Sequence, residues 1–236
     1  MTDAVTKVLI LGLIAVTLAW PVPVLLARAR WAIRMPAAAM LCWQAVAVAG
    51  GLSMIGALWF ISKGAAALLA LHLLLNLGLT AVGTARQRRR HRQLVELLST
   101  PMPDRPGTRL IENEAPVAYC LPGAPRSVTV LSDGLVRLLS EDELAAVVAH
   151  ERAHVTQHHH IVLMAFKAWR TALPWFPIAS RAEEAVALLV ELLADDDARR
   201  VVPDGVLASA VVAVAGTDAE RSVAPRIARL RTREVD

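Results

Sequence analysis

Three long stretches of this chain are free of charged side chains, and they limit its fold more than any other feature: residues 8–27, 35–62 and 64–85. A run of about 20 apolar residues is long enough, as a helix, to cross the hydrocarbon core of a bilayer. Inside lipid the backbone must satisfy its own polar groups, so such runs form helices rather than loops or open strands. Composition demands the same: 56% of the 236 residues are hydrophobic and only 19% are charged, too apolar a mixture for an ordinary soluble domain. The sequence therefore predicts three membrane spans, 8–27, 35–62 and 64–85, the last two forming a hairpin about Lys63. Pro21 and Pro23 predict a kink at the end of the first. That first span does not read as a cleaved leader, because its arginines follow the apolar run instead of preceding it.

The arginines also set the expected orientation. Arg28, Arg30 and Arg34 follow the first span, and Arg86, Arg88, Arg89, Arg90 and Arg92 follow the third, on the same side of the bilayer. Positive loops stay cytoplasmic. A multi-pass protein of the cell membrane is expected, with its N-terminus outside and everything from Arg86 to the C-terminus in the cytoplasm. The net charge of +4 does not point to nucleic acid, because aromatic residues are few and the arginines cluster beside the apolar runs. His72 and Asn76, four residues apart in the third span, share a face and predict an inter-helix hydrogen bond. Cys42 and Cys120 lie in segments of different kinds and support neither a disulfide framework nor a cysteine metal site.

The composition changes at Gln93, which divides the chain into a membrane domain, 1–92, and a second domain, 93–236. Pro101, Pro103, Pro106 and Gly107 read as a turn-rich link. Residues 115–121 and 127–131 are short and β-prone around the turn Leu121-Pro122-Gly123, as in a small hairpin or sheet edge to which an extended peptide can add. Next, Ser140 with Glu143 three residues on forms a capping box, and Leu144, Val147 and Val148 continue it as an apolar helical stripe. That helix carries His150-Glu151-Arg152-Ala153-His154. Histidines four apart stand on one helix face, so both imidazoles reach one metal ion while Glu151 reaches a water beside it.

Catalytic zinc takes three protein ligands and leaves a position for water. His158 continues the spacing of four, but three ligands along one straight helix cannot surround an ion, so His158, His159 and His160 read as a helix end or as supports behind the ligands. Residues 181–200 form a second helical pattern, in which Glu191 is flanked by Val190, Leu192 and Leu193. A carboxylate inside an apolar stretch needs a metal or a partner, which makes Glu191 the candidate third ligand, whereas Glu183, Glu184 and the Asp195-Asp196-Asp197 run can be solvated. Asp195, one turn on, is placed to accept the other ring N–H of a ligand histidine. Arg199 and Arg200 read as a solvated helix end. Residues 161–178 resemble a fourth span, yet they include Lys167 and Arg170, and one crossing would put Glu191 across the membrane from His150 and His154. An interfacial or re-entrant segment is expected, with Trp169, Trp175 and Phe176 at the interface and breaks at Pro174 and Pro177. Residues 206–215 are too few to cross.

In order, AYCLPG, then VLSDGLVRLLSEDELAAVVAHERAH, then ELLAD are similar to the membrane metallopeptidases of the M48 (HtpX-like and Ste24-like) and M56 (BlaR/MecR-like) groups. The resemblance implies zinc on His150, His154 and Glu191, Glu151 as general base, Asp195 behind a ligand, and a substrate-side strand at Ala118, Tyr119 and Cys120. It implies a mainly α membrane protein: three transmembrane helices, then a cytoplasmic, zincin-like helical protease domain with a small β element. The implied activity is hydrolysis of protein or peptide substrates at the cytoplasmic membrane face, with Zn2+ as cofactor and the lipid bilayer as environment. Self-association is compatible with it. The alternative is a non-catalytic membrane scaffold or signalling protein that retains the protease fold.

Overall fold

The computed structural model describes residues 2–122, 127–174, 177–215 and 220–233. Its helices are α1 (Thr2–Ala19), α2 (Pro21–Ala27), α3 (Arg30–Arg34), α4 (Pro36–Ile61), α5 (Lys63–Leu98), α6 (Asp133–Leu138), α7 (Glu141–Thr156), α8 (His159–Ala172), α9 (Pro177–Ala198), α10 (Asp204–Ala215) and α11 (Glu220–Arg233). The strands are β1 (Ser99–Pro101), β2 (Thr108–Ile111), β3 (Ala118–Leu121) and β4 (Val128–Ser132). Mainly helical, with one small sheet, the chain divides into two compact units: residues 1–84 with 161–189, and residues 85–160 with 190–236.

Asp3–Ala27 and Pro36–Ile61 in the first unit, and Lys63–Leu98, which begins there and runs on beyond residue 84, are long and apolar enough to cross a membrane. Leu9, Leu13, Leu68 and Leu79 are exposed along them, a surface that suits hydrocarbon rather than water. The first is broken between α1 and α2, because Pro21 has no N–H with which to continue the α1 ladder. α5 does not stop at Ala85 but runs on through the arginines to Leu98, since Arg and Gln are good helix formers. α8 is 14 residues long, short of the roughly 20 a crossing needs. It packs within this unit: the Phe166 ring meets Trp43 edge-on at 6.5 Å, and Trp169 lies beside Gly50. His72 Nε2 donates to the Ala172 carbonyl at 3.0 Å, tying α5 to an orphan acceptor at the end of α8. That is the inter-helix bond expected of His72. Trp175 and Phe176 lie outside the described residues.

The second unit is built on a four-stranded sheet of order β1-β2-β4-β3. β1 pairs antiparallel with β2, β2 parallel with β4, and β3 antiparallel with β4. The expected hairpin is therefore present as β3 and β4, although Gly123 lies outside the described residues. Of the stretch read as a link, Pro101 ends β1 and residues 102–107 are the connection of a second hairpin, closed by Gly107 at a φ of +81°. Among the described residues β3 pairs on one side only, which leaves it at the sheet edge.

Behind the sheet, buried Leu131, Leu135, Leu139 and Leu144 carry the chain from β4 through α6 into α7. Ser132 pins this passage: its Oγ donates to the Ala115 carbonyl at 2.8 Å and accepts from Leu135 N at 3.1 Å. Gly134 is required next to it, because a Cβ there would lie 2.0 Å from the Glu114 carbonyl oxygen. On the other flank of α7, Ala146, Ala198, Ala210 and Leu230 share a core cluster, where the small side chains let α7, α9, α10 and α11 approach closely.

Candidate metal centre

α7 begins with both halves of its capping box made: Ser140 N donates to Glu143 Oε2 at 2.9 Å, and Glu143 N donates to Ser140 Oγ at 3.4 Å. Ser209 of α10 adds a 2.5 Å bond to Glu143 Oε1. The helix start is thereby fixed, and with it the direction in which His150 and His154 project two and three turns later. His150 is buried, while Glu151 and His154 are half-buried.

The structure brings His150, His154 and Glu191 together, with one ligand atom of each within 4.8 Å of the others. His150 Nε2 lies 3.2 Å from His154 Nε2 and 3.3 Å from Glu191 Oε2, and His154 Nε2 lies 3.6 Å from Glu191 Oε1. Zinc bonded tetrahedrally to nitrogen and oxygen at about 2.0–2.1 Å holds its ligand atoms about 3.3 Å apart. The three separations match that edge. The donor set fits a divalent zinc-type metal.

Behind the donors, the ring of His150 is held by Asp195, whose Oδ1 is 2.9 Å from Nδ1. Asp195 is only 1% exposed and needs further compensation. Arg226 of α11 provides it: Nε donates to Asp195 Oδ2 at 2.8 Å, and Nη2 to Oδ1 at 2.6 Å. The same guanidinium donates from Nη1 to Glu191 Oε2 at 3.1 Å, so one planar fork spans Glu191 and Asp195 of α9. His154 is held on its other side by His159, at 3.2 Å between the two Nδ1 atoms.

These contacts set the protonation of the metal-free site. Burial alone would lower the His150 pKa, but the bonds to Asp195 and Glu191 outweigh it and raise it to about 9. His154 is pushed down by burial and by the charge of His150. Burial would raise Glu191 and Asp195, yet their bonds with His150 dominate and hold both carboxyls below their ordinary values. Glu151 has no such bond, and burial lifts it to about 7, with the charge of Glu191 adding to the rise. A carboxyl near neutrality beside a metal position is suited to taking up and returning a proton. A cavity of about 200 Å³ opens beside it, lined by His150, Glu151, Glu191 and Arg226 together with Val211 and Val223.

Ala118, Tyr119 and Cys120 all lie on edge strand β3. Burial raises the Cys120 thiol, its bond with Thr129 lowers it, and the charge of Glu151 raises it again. Arg199 is taken by Asp204 at 2.7 Å from Nε to Oδ1, and Arg200 pairs with Asp197 at 3.4 Å. The arginine that reaches the site is Arg226, which the sequence analysis did not single out; its signal was the apolar-and-arginine alternation of α11. His159 was also not singled out from its triplet.

Residues 84–194 match the model of Peptidase family M48. A curated relative described as a "Protease HtpX homolog", from Thermodesulfovibrio yellowstonii, is 32% identical over 78 residues, 33% of this chain. Those residues span about a quarter, 26%, of that relative's length. No solved structure matches the chain. Of the two groups the sequence resembles, the match falls on M48, and M56 finds no support in it. The segment of residues 84–194, which contains His150, Glu151, His154 and Glu191, is similar to peptidase family M48.

Proposed function

We propose that this chain is a membrane-anchored, zinc-dependent endopeptidase that hydrolyses protein substrates at the cytoplasmic membrane face. The observation that carries the reading is the donor triangle of His150, His154 and Glu191, with separations of 3.2, 3.3 and 3.6 Å and Glu151 adjacent on the same helix. When bound, zinc supplies Lewis acidity that lowers the pKa of a water and polarises the scissile carbonyl. Glu151 takes the proton that the attacking water loses and passes it to the departing amine, so no covalent intermediate with the chain is needed. Asp195 and Arg226 keep the ring of His150 and the carboxylate of Glu191 in place while this happens. A substrate segment pairs with the free edge of β3 at Ala118, Tyr119 and Cys120, which presents its backbone beside Glu151.

Three helices that are long and apolar enough to cross a bilayer support the membrane anchor. The arginine loops after the first and third support the cytoplasmic orientation. In this topology the segment 161–178 does not cross, which its 14-residue helix α8 favours. The test is zinc content and proteolysis of the purified protein beside Glu151→Gln. The wild type is expected to hold one zinc and to cleave an unfolded protein substrate, and the variant to hold zinc without cleaving. Absence of zinc, or equal cleavage by the variant, refutes the reading.

A further inference from the structure

Between α7 and α8 the chain does something costly. α7 ends at Thr156, Gln157 caps it, and His158 follows with a φ of +54°, a left-handed conformation that a side chain other than glycine rarely takes. α8 then starts afresh at His159. The reversal turns His159 back toward α7 and buries its ring, which is only 4% exposed. The imidazoles of His159 and His154 meet edge-on, at 5.1 Å between centroids and an interplanar angle of 82°. His159 Nδ1 lies 3.2 Å from His154 Nδ1, and His159 Nε2 lies 3.0 Å from Gln157 Oε1.

The direction of these bonds follows from the groups at the end of the chain. An amide oxygen only accepts, so His159 Nε2 carries the proton and donates to Gln157. His159 Nδ1 is then an acceptor, and the group facing it, His154 Nδ1, must donate. This leaves His154 Nε2 as a lone pair, directed at His150 Nε2 and Glu191 Oε1. We propose that His159 is a positioning residue, which together with Gln157 fixes His154 as the Nδ1–H tautomer with Nε2 turned to the metal position. The inference rests on the reading of His154 as a metal ligand. It gives the two candidate ligands different supports: a carboxylate, Asp195, behind His150, and a neutral imidazole behind His154. It also gives the left-handed backbone at His158 a reason, since a continuous helix would carry His159 away from His154.

The test uses the full chain in detergent and two readouts. Long-range nitrogen–proton NMR of the histidine-labelled, metal-free protein reports the tautomer of His154, and zinc affinity is measured by competition with a chelator. The wild type is expected to show His154 protonated on Nδ1. His159→Leu removes the acceptor, and zinc affinity falls about 10–100-fold. His159→Asn, which offers an acceptor in a similar place, retains most of it. Gln157 is exposed, so Gln157→Ala leaves folding intact; it frees the tautomer of His159 and is expected to weaken zinc several-fold. A wild type with His154 protonated on Nε2 overturns the inference, as does unchanged affinity in both His159→Leu and Gln157→Ala. Wild-type protein that binds no zinc overturns the metal reading and this inference with it, whereas tight wild-type binding with unaltered variants overturns the inference alone.

Discussion

Arg226→Met is the perturbation that asks most of the site. The substitution removes two bonds to Asp195, at 2.8 and 2.6 Å, and one to Glu191 at 3.1 Å, while keeping much of the side-chain volume. Asp195 is 1% exposed and cannot turn to water for compensation. Removing one partner of a buried ion pair costs about 3–5 kcal/mol, because the remaining charge is left in a poorly polarisable interior. Two circumstances reduce that figure here: His150 still donates to Asp195 at 2.9 Å, and Glu191 is half-buried. A loss of about 2–4 kcal/mol is expected in the metal-free protein. A bound divalent cation restores positive charge next to Glu191, so the deficit is expected to shrink when zinc is added. Denaturant titration of wild type, Arg226→Met and Arg226→Lys, with and without zinc, measures both quantities. Lysine keeps the charge but cannot span two carboxylates, so its deficit should fall between the other two. If Arg226→Met is as stable as the wild type without metal, the guanidinium does not hold the site together as argued here.

Other outcomes follow from the same geometry. Because His150 titrates at about 9 without metal, zinc uptake at pH 7 is expected to release about one proton from it. Calorimetry in buffers of different ionisation enthalpy should show that release fade above pH 9. The same raised pKa stabilises the metal-free fold fully below the unfolded value of 6.5, and this contribution is lost as pH rises through about 9. Glu151 is also raised, from 4.5 to about 7, so its ionisation opposes folding increasingly as pH rises from 4.5 and fully above about 7. Glu151→Gln should therefore stabilise the metal-free protein at pH 8 by about 1–3 kcal/mol and leave it unchanged at pH 4, a thermal-shift result that separates lost catalysis from lost folding. Gly134→Ala should destabilise the second unit by about 1–3 kcal/mol, since the added Cβ meets the Glu114 carbonyl oxygen at 2.0 Å; unchanged melting would show that the backbone there yields easily.

Much of this arrangement could be read from local sequence because the forces that fix it are local. The Ser140 and Glu143 capping box acts within one turn, and it starts the helix that carries His150 and His154. A carboxylate between Val190 and Leu192 announces its need for a partner without any tertiary information, and the structure brings Glu191 to the two histidines. The strands that went unread, β1 and β2, are three and four residues long and lie in a Pro- and Gly-rich stretch. β2 is fixed by parallel pairing with β4, some 20 residues away, which leaves no local pattern. Arg226 lies 31 residues from Asp195 and 35 from Glu191, in a helix whose arginines look solvated until its partners are placed. The histidine triplet read as a helix end or as supports behind the ligands, and the structure ends α7 at Thr156 with His159 behind His154, but the turn between them was not legible. Nothing in a run of three histidines encodes a left-handed residue, and a straight helix would have left His159 outside the site.

His150, His154 and Glu191 are expected to form one metal centre. Zinc K-edge X-ray absorption of the purified protein loaded with one equivalent tests it most directly. The expected spectrum has a first shell of nitrogen and oxygen at about 2.0–2.1 Å, with the outer-shell scattering of two imidazoles and no sulfur. A sulfur shell, which would implicate Cys42 or Cys120, or a spectrum of zinc surrounded by water alone, would contradict it.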